Sequence, residues 1–255
     1  MNRIKEWSEQ QITYYYLGIR HSDYPEVFWQ KMKPVIKNYK TLIDIGCGPG
    51  AFALKAAESG FQVQAVDISK KNLDALKMQV KLLRLNNVNT IPGDWVDVQV
   101  EKNDVSVCAY SFGDTIGTLE GIKKIIDLTN EVAFFITPYE TLQTDFLSEK
   151  LYHKSGIEPP SFKGNYQDIL NIFNYLHEDV SLETVEYDFG MPLNSKEELN
   201  SCAVYLGEKL GIPSVGLVEE HLQKIAGRKK NGMYWVPNPR KSTMITWRRG
   251  DKWDD

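Results

Sequence analysis

The sequence predicts an α/β fold, a mostly parallel sheet with helices on both faces, and two observations carry that expectation. Strand-like apolar runs alternate with helix-periodic segments over residues 41 to 137. The first run, Leu42-Ile43-Asp44-Ile45, enters a turn holding Gly46, Gly48 and Gly50, and the next run ends in Asp67. Asp67 lies 21 positions after Gly46, close to the ~20-residue interval at which a carboxylate on the following strand reaches a ribose. Glycines let a backbone approach a ligand where a Cβ would collide. The unit reads as a nucleoside-binding βαβ module.

The elements follow in order. Residues 1–40 form a flank dense in aromatic rings, with a helix over 26–37 that Pro34 should kink or split. Strands are expected at 41–45, 62–67, 88–91, 104–110 and 131–137, with helices at 51–59, 70–85 and 119–128 between them. Gly60 suits a helix C-terminus and Ser69 an N-cap. Residues 41–139 make up this core. Beyond it, 140–255 completes the sheet with helical insertions: helices at 141–154 and 166–176, then an alternating strand at 183–189. A Ser195–Glu198 capping box opens a helix through Leu206, another helix covers 218–225, and 244–247 is the last strand. The long link between the last two strands suits a substrate cap or an oligomer arm, the latter in a homodimer.

The turn decides which nucleoside. G-x-x-x-x-G-K-[ST] is absent, and G-x-G-x-x-G fails because the third glycine comes one residue early. Asp44, inside the strand end, would repel a pyrophosphate and suits a ligand carrying positive charge. S-adenosylmethionine has an ammonium and a sulfonium and no phosphate.

Here the chain resembles the class I S-adenosylmethionine-dependent methyltransferases. Asp44-Ile45-Gly46-Cys47-Gly48-Pro49-Gly50 matches their first motif and Val66-Asp67-Ile68-Ser69 their second. Gly93-Asp94-Trp95 fits the third, and 104–110 the fourth strand. The resemblance spans roughly 41–139 and implies a seven-stranded, mostly parallel Rossmann-like sheet whose last strand is antiparallel. It also implies that Asp44, Gly46 and Gly48 line the methionine half of the cofactor, with Ser111 beside them. Asp67 would accept from both ribose hydroxyls, Ile68 would cover adenine, and Asp94 would accept from its amino group with Trp95 nearby. Such a flank often folds over the cofactor in this family, which would let Arg20 pair with the methionine carboxylate. Cys47 is the small residue that fits between glycines.

The acceptor is expected after the fourth strand, at 110–117. Asp114, Tyr110 and His21 are the candidate catalytic groups, with helix capping the competing role for Asp114. The [DN]-P-P-[YF] of amino-adenine methyltransferases is missing, and Cys108 lies inside a strand, unlike the nucleophile of cytosine-C5 enzymes. One Asp does not make the carboxylate set of metal-dependent catechol-type enzymes, and the four histidines show no metal-ligand spacing. No metal is expected.

Composition sets the remaining bounds. The chain has 255 residues, 42% apolar and 25% charged, with a net charge of −4. No apolar run is long enough for a membrane span, no signal-peptide core follows Met1, and three scattered cysteines suggest a reducing cytoplasm. Eight Lys or Arg residues and no acid lie between Lys224 and Gly250. With Tyr234, Trp235 and Trp247 among them, they could grip nucleic acid, but such runs usually form a solvated surface. The expected activity is methyl transfer from S-adenosylmethionine, releasing S-adenosylhomocysteine, to a small-molecule acceptor. The alternatives are an RNA or protein methyltransferase that uses the basic stretch, and a non-catalytic cofactor-binding partner protein.

Overall fold

The computed structural model describes residues 7–113, 115–140, 145–159, 165–193, 195, 198–229 and 232–250. Helix α1 (Glu9–His21) opens on a capping box: Ser8 Oγ accepts from the Gln11 amide, and the Gln11 side chain accepts from the Ser8 amide. Helix α2 (Glu26–Ile36) is a single helix, so Pro34 does not split it. The missing N–H forfeits one bond, to the Gln30 carbonyl, and the helix stops two residues later at Ile36.

The alternating core then runs β1 (Thr41–Ile45), α3 (Ala51–Glu58), β2 (Gln62–Asp67), α4 (Lys70–Leu82), β3 (Val88–Pro92), β4 (Asn103–Ala109), α5 (Leu119–Leu128) and β5 (Thr129–Pro138). A 3-10 turn (Asp145–Leu147), α6 (Glu149–Ser155) and α7 (Tyr166–Leu176) lead to β6 (Val180–Asp188). The expected helix at 141–154 is thus a shorter helix preceded by a turn, and 141–144 lie outside the described residues. The chain ends in β7 (Met191–Leu193), α8 (Leu199–Leu210), α9 (Val215–Ile225), β8 (Gly227–Arg228), β9 (Tyr234–Val236) and β10 (Pro239–Arg248).

Seven strands form one sheet in the order β3-β2-β1-β4-β5-β10-β6. Only β10 runs against its neighbours, β5 and β6. This is the sheet the sequence predicts. Alternate residues bury on opposite faces: Leu42, Val107 and Phe134 pack with Phe28 and Phe52, whereas Ile43, Cys108 and Phe135 pack with Ile122 and Phe173. Burial on both faces explains why the central strands read as unbroken apolar runs.

The link between β6 and β10 differs from expectation. It carries helices α8 and α9 but also a three-stranded sheet, β7-β9-β8, and a core of its own around Phe146, Leu206, Val218 and Val236. Helix α8 begins at Leu199, later than the expected start at Ser195, and residues 196 and 197 of the expected capping box lie outside the described residues. No helix among the described residues is long and apolar enough to cross a membrane.

Candidate active site

The strand order reverses between β1 and β4, which opens a crevice beyond their carboxyl ends where ligands of such sheets bind. The glycine turn fills the floor of that crevice. Gly46 has φ +65°, and a Cβ there would stand 2.4 Å from the Ser111 Cβ. Ser111 Oγ donates to the Gly46 carbonyl at 2.7 Å, tying the tip of β4 to the tip of β1. Gly48, at φ +55°, faces open space, with nothing within 4 Å of the point a Cβ would occupy.

Two carboxylates bracket the turn. Asp67 is 8% exposed; its oxygens accept from the amides of Gly48 at 2.7 Å and Ser69 at 2.8 Å. Asn72 reaches the same group at 3.5 Å, while its own carbonyl oxygen is buried without a partner among the described residues. Burial raises the Asp67 pKa despite these N–H donors. Asp44 is 2% exposed and accepts from the Ala53 amide at 2.8 Å. Burial lifts its pKa to about 7, opposed by that amide and reinforced by Asp67. Two acids pushed up by burial, above an open glycine turn, make a cradle that gains from a cationic ligand with hydroxyls to donate. S-adenosylmethionine fits that donor set.

Above the crevice lies a cavity of about 350 Å³ with ten aromatic rings among its eighteen lining residues. Helix α1 supplies Tyr14 and Tyr15, the tip of β4 supplies Tyr110 and Phe112, and the end of β6 supplies Tyr187. The Tyr110 hydroxyl bonds the Tyr187 hydroxyl and, at 2.7 Å, Ser242 Oγ. Burial raises the pKa of Tyr110 well above its usual value, so it stays a neutral phenol. Residues adjacent to the cavity wall reach the glycine turn: Ser111 bonds Gly46, and the Tyr16 hydroxyl donates to the Pro49 carbonyl at 2.7 Å.

Residues 42–127 match the family model of a methyltransferase domain. That stretch, about a third of the chain, is similar to methyltransferase domains, in line with the class I S-adenosylmethionine-dependent enzymes that its motifs resemble. An uncharacterized protein of Haemophilus influenzae is 26% identical over 209 residues, which cover 78% of this chain and 77% of that one. The ubiquinone biosynthesis O-methyltransferase of Pelagibacter ubique is 30% identical over 139 residues, 54% of this chain but 44% of the relative's length. Magnesium protoporphyrin IX methyltransferase from Synechocystis PCC 6803, solved with bound SAH, superposes with a TM-score of 0.51 at 13% identity. That match covers 95% of this chain and 89% of the other and speaks to the fold.

The remaining residues singled out in the sequence fall into three groups. Ile68 is 45% exposed at the tip of β2, and Asp94 is half-buried with one oxygen accepting from the Val96 amide at 3.3 Å. Both stand at strand tips with Asp67. Trp95, expected near adenine, is 2% exposed in the core; its indole N–H donates to the Gly121 carbonyl at 3.0 Å, and Lys124 lies over the ring. A buried ring with its N–H spent packs beneath the third loop. Arg20 is exposed in the last turn of α1, and His21, half-buried beside it, has its carbonyl held by Lys229 at 3.2 Å. Asp114 lies outside the described residues.

The basic stretch is divided: Lys224, Arg228, Arg248 and Arg249 are exposed, while Lys229, Arg240 and Lys241 are half-buried. Arg249 donates to the carbonyls of Ile126 and Thr129, both at 2.7 Å. Lys229 stacks over Trp235, Lys224 pairs with Glu220, and Arg240 pairs with Asp145. Sequence reading passes over Tyr187, Asp145 and Lys209, which line the cavity from distant segments, and Ser242, which bonds the lining residue Tyr110. It also passes over Asn72, though a position five residues after Asp67 on a capped helix is a usable signal.

Proposed function

We propose that this protein transfers a methyl group from S-adenosylmethionine to a small molecule held in the aromatic cavity. The observation that carries the proposal is the cavity's adjacency to the glycine turn, through residue pairs in which one side chain lines the cavity and its neighbour touches the turn. When bound, S-adenosylmethionine supplies a methyl already activated on a sulfonium. The protein's work is then to hold and orient the partners, since positioning accounts for much of such a barrier.

In this reading Asp44 attracts the ammonium and Asp67 accepts from the ribose hydroxyls. Ile68 covers one face of adenine, and Asp94 accepts from its amino group. Gly46 and Gly48 let the backbone approach, with Ser111 bracing the turn, and Arg20 reaches the methionine carboxylate from α1. Tyr110, a neutral phenol, orients the acceptor by hydrogen bonding rather than acting as a base. His21 and Asp114 are the bases to test by substitution where the acceptor carries a proton to be lost. The engagement of Arg240 with Asp145 and of Lys229 with Trp235 supports a small acceptor over a nucleic acid, because charges held by partners within the fold are less available to phosphates.

The test begins with thermal unfolding in S-adenosylmethionine, S-adenosylhomocysteine, NAD and ATP. Ligand at about 100 times its Kd adds about 2.7 kcal/mol, roughly 5–10 °C at this chain length. A rise with the two sulfur compounds alone, lost in Asp67→Ala, supports the reading. S-adenosylhomocysteine release over a panel of small acceptors then measures turnover. Binding without turnover on any small molecule, RNA or protein would leave the non-catalytic alternative in its place.

A further inference from the structure

We propose that Arg240 and Lys209 form an anion-binding end of the cavity, so that the acceptor is a small planar or apolar acid. This rests on the reading of the cavity as the acceptor site. Among the described lining residues the only charged groups are Asp145, Lys209 and Arg240, a net of +1. The tyrosines add no negative charge, since burial pushes the phenols of Tyr15, Tyr24, Tyr110 and Tyr205 upward.

The one carboxylate among the described lining residues is already taken. Asp145 Oδ1 accepts from Arg240 Nη1 and, at 3.2 Å, from Asn238 Nδ2; Oδ2 faces Lys209 Nζ at 3.1 Å. Burial opposes its ionisation, but Lys209 and Arg240 prevail and hold its pKa at about 2. It therefore has little left for a cationic acceptor, although the aromatic walls alone would suit one. Arg240 keeps capacity in the other direction. Its side chain is 10% exposed, and a guanidinium has five N–H donors in a fork that matches a carboxylate or phosphate.

Position separates this end from the cofactor. Arg240 sits on β10, paired with Tyr187 of β6. Between β10 and β1 lie β5 and β4, three strand spacings of about 4.8 Å, or roughly 14 Å. The methionine carboxylate belongs at β1. Lys209 comes from α8 of the insertion, so an anion here would bridge the sheet and the cap.

The experiment is calorimetric titration of the full chain, saturated with S-adenosylhomocysteine, with three indoles of one shape: indole-3-acetate, indole-3-acetamide and tryptamine. The expected order is acetate over acetamide by at least about tenfold, the gain of a charge-assisted pair, with tryptamine weakest. Arg240→Gln should erase the acetate preference and leave S-adenosylhomocysteine affinity unchanged. Should that variant fail to fold, Lys209→Met, at a side chain 34% exposed, should cut the preference several-fold. Asp145→Asn should strengthen acetate binding, whereas a merely structural role would weaken all three ligands alike. A tryptamine preference, equal binding of the three, binding of none, or a preference that survives Arg240→Gln and Lys209→Met overturns the proposal. A neutral or cationic compound that turns over would end this inference and leave methyl transfer standing. Acetate selectivity in a protein that methylates nothing would do the reverse.

Discussion

Asp44→Asn should make the ligand-free protein more stable near pH 8 while weakening its grip on the cofactor. The magnitude follows from burial. The Asp44 pKa stands at about 7 against an ordinary value of 3.8, and each unit is worth 1.36 kcal/mol, giving roughly 4 kcal/mol. The sign is set by proton counting. Between about pH 4 and pH 7 the native state holds a proton that the unfolded chain has lost, so stability falls as pH rises through that window and levels off above it. The ionised carboxylate is thus a cost to the empty protein at pH 8. Asparagine removes that cost and can still accept from the Ala53 amide. It brings a buried NH₂ worth about 1–3 kcal/mol if unpaired, leaving a net gain of roughly 1–3 kcal/mol.

The assay is urea unfolding of wild type and Asp44→Asn at intervals from pH 5 to pH 8, with constant m-values as the check on two-state behaviour. Wild type should lose stability across the range and the variant should lose less, the residual slope coming from Asp67, whose pKa is also raised by burial. S-adenosylhomocysteine, which keeps the ammonium, should bind the variant at least about tenfold more weakly, the loss of one charge-assisted contact. Parallel pH profiles, or a variant less stable than wild type at pH 8, would refute the reasoning.

Three further outcomes are expected. Gly46→Ala places a Cβ against Ser111 at a φ of +65° and should cost about 1–3 kcal/mol and abolish the S-adenosylhomocysteine thermal shift; Gly48→Ala, at φ +55° in open space, should cost less. Thermal unfolding with and without ligand separates them. Trp95→Phe keeps most of the buried ring but loses the bond to Gly121, so it should lower stability by about 1 kcal/mol with unchanged S-adenosylhomocysteine affinity; a large affinity loss would return the ring to the adenine site. Tyr16→Phe removes the hydroxyl that holds the Pro49 carbonyl and should weaken S-adenosylhomocysteine binding several-fold in calorimetry, with little change in fold by circular dichroism.

The cofactor half is legible because its signals are local. Strand, glycines, helix and acid fall within residues 42–67, and each states a backbone need that a single sequence displays. Helix α1 is also announced, by Ser8 and Gln11, yet the density of rings around it draws attention to chemistry over capping. The insertion between β6 and β10 is not legible. Strands β7 and β9 have three residues each, too few to show a period of two, and Pro192 within β7 argues against a strand. Their pairing spans more than forty positions. For the basic run, the solvated surface that the sequence favours holds for Lys224, Arg228, Arg248 and Arg249, but charge counts alone could not show that Arg240 is held by Asp145 or that Arg249 also bonds backbone carbonyls.

The two halves of the site are less separable than their sequence distances suggest. Ser111 bonds the glycine turn while Tyr110 and Phe112 on either side line the cavity, and Tyr16 does the same beside Tyr15. Tyr110 reaches its place only by a φ of +56°, a conformation that costs a non-glycine residue about a kcal/mol or more. Its hydroxyl contacts with Tyr187 and Ser242 sit at the far end of the same side chain. Those partners lie on β6 and β10, so the last strands to join the sheet hold the tip of β4 in the form that braces Gly46. A methyl transfer needs donor and acceptor aligned within a fraction of an ångström, and short covalent links between the two walls transmit position better than packing alone. By this reasoning the aromatic cavity and the glycine turn share one frame, and under the proposed function the insertion would add the wall that distinguishes one acceptor from another.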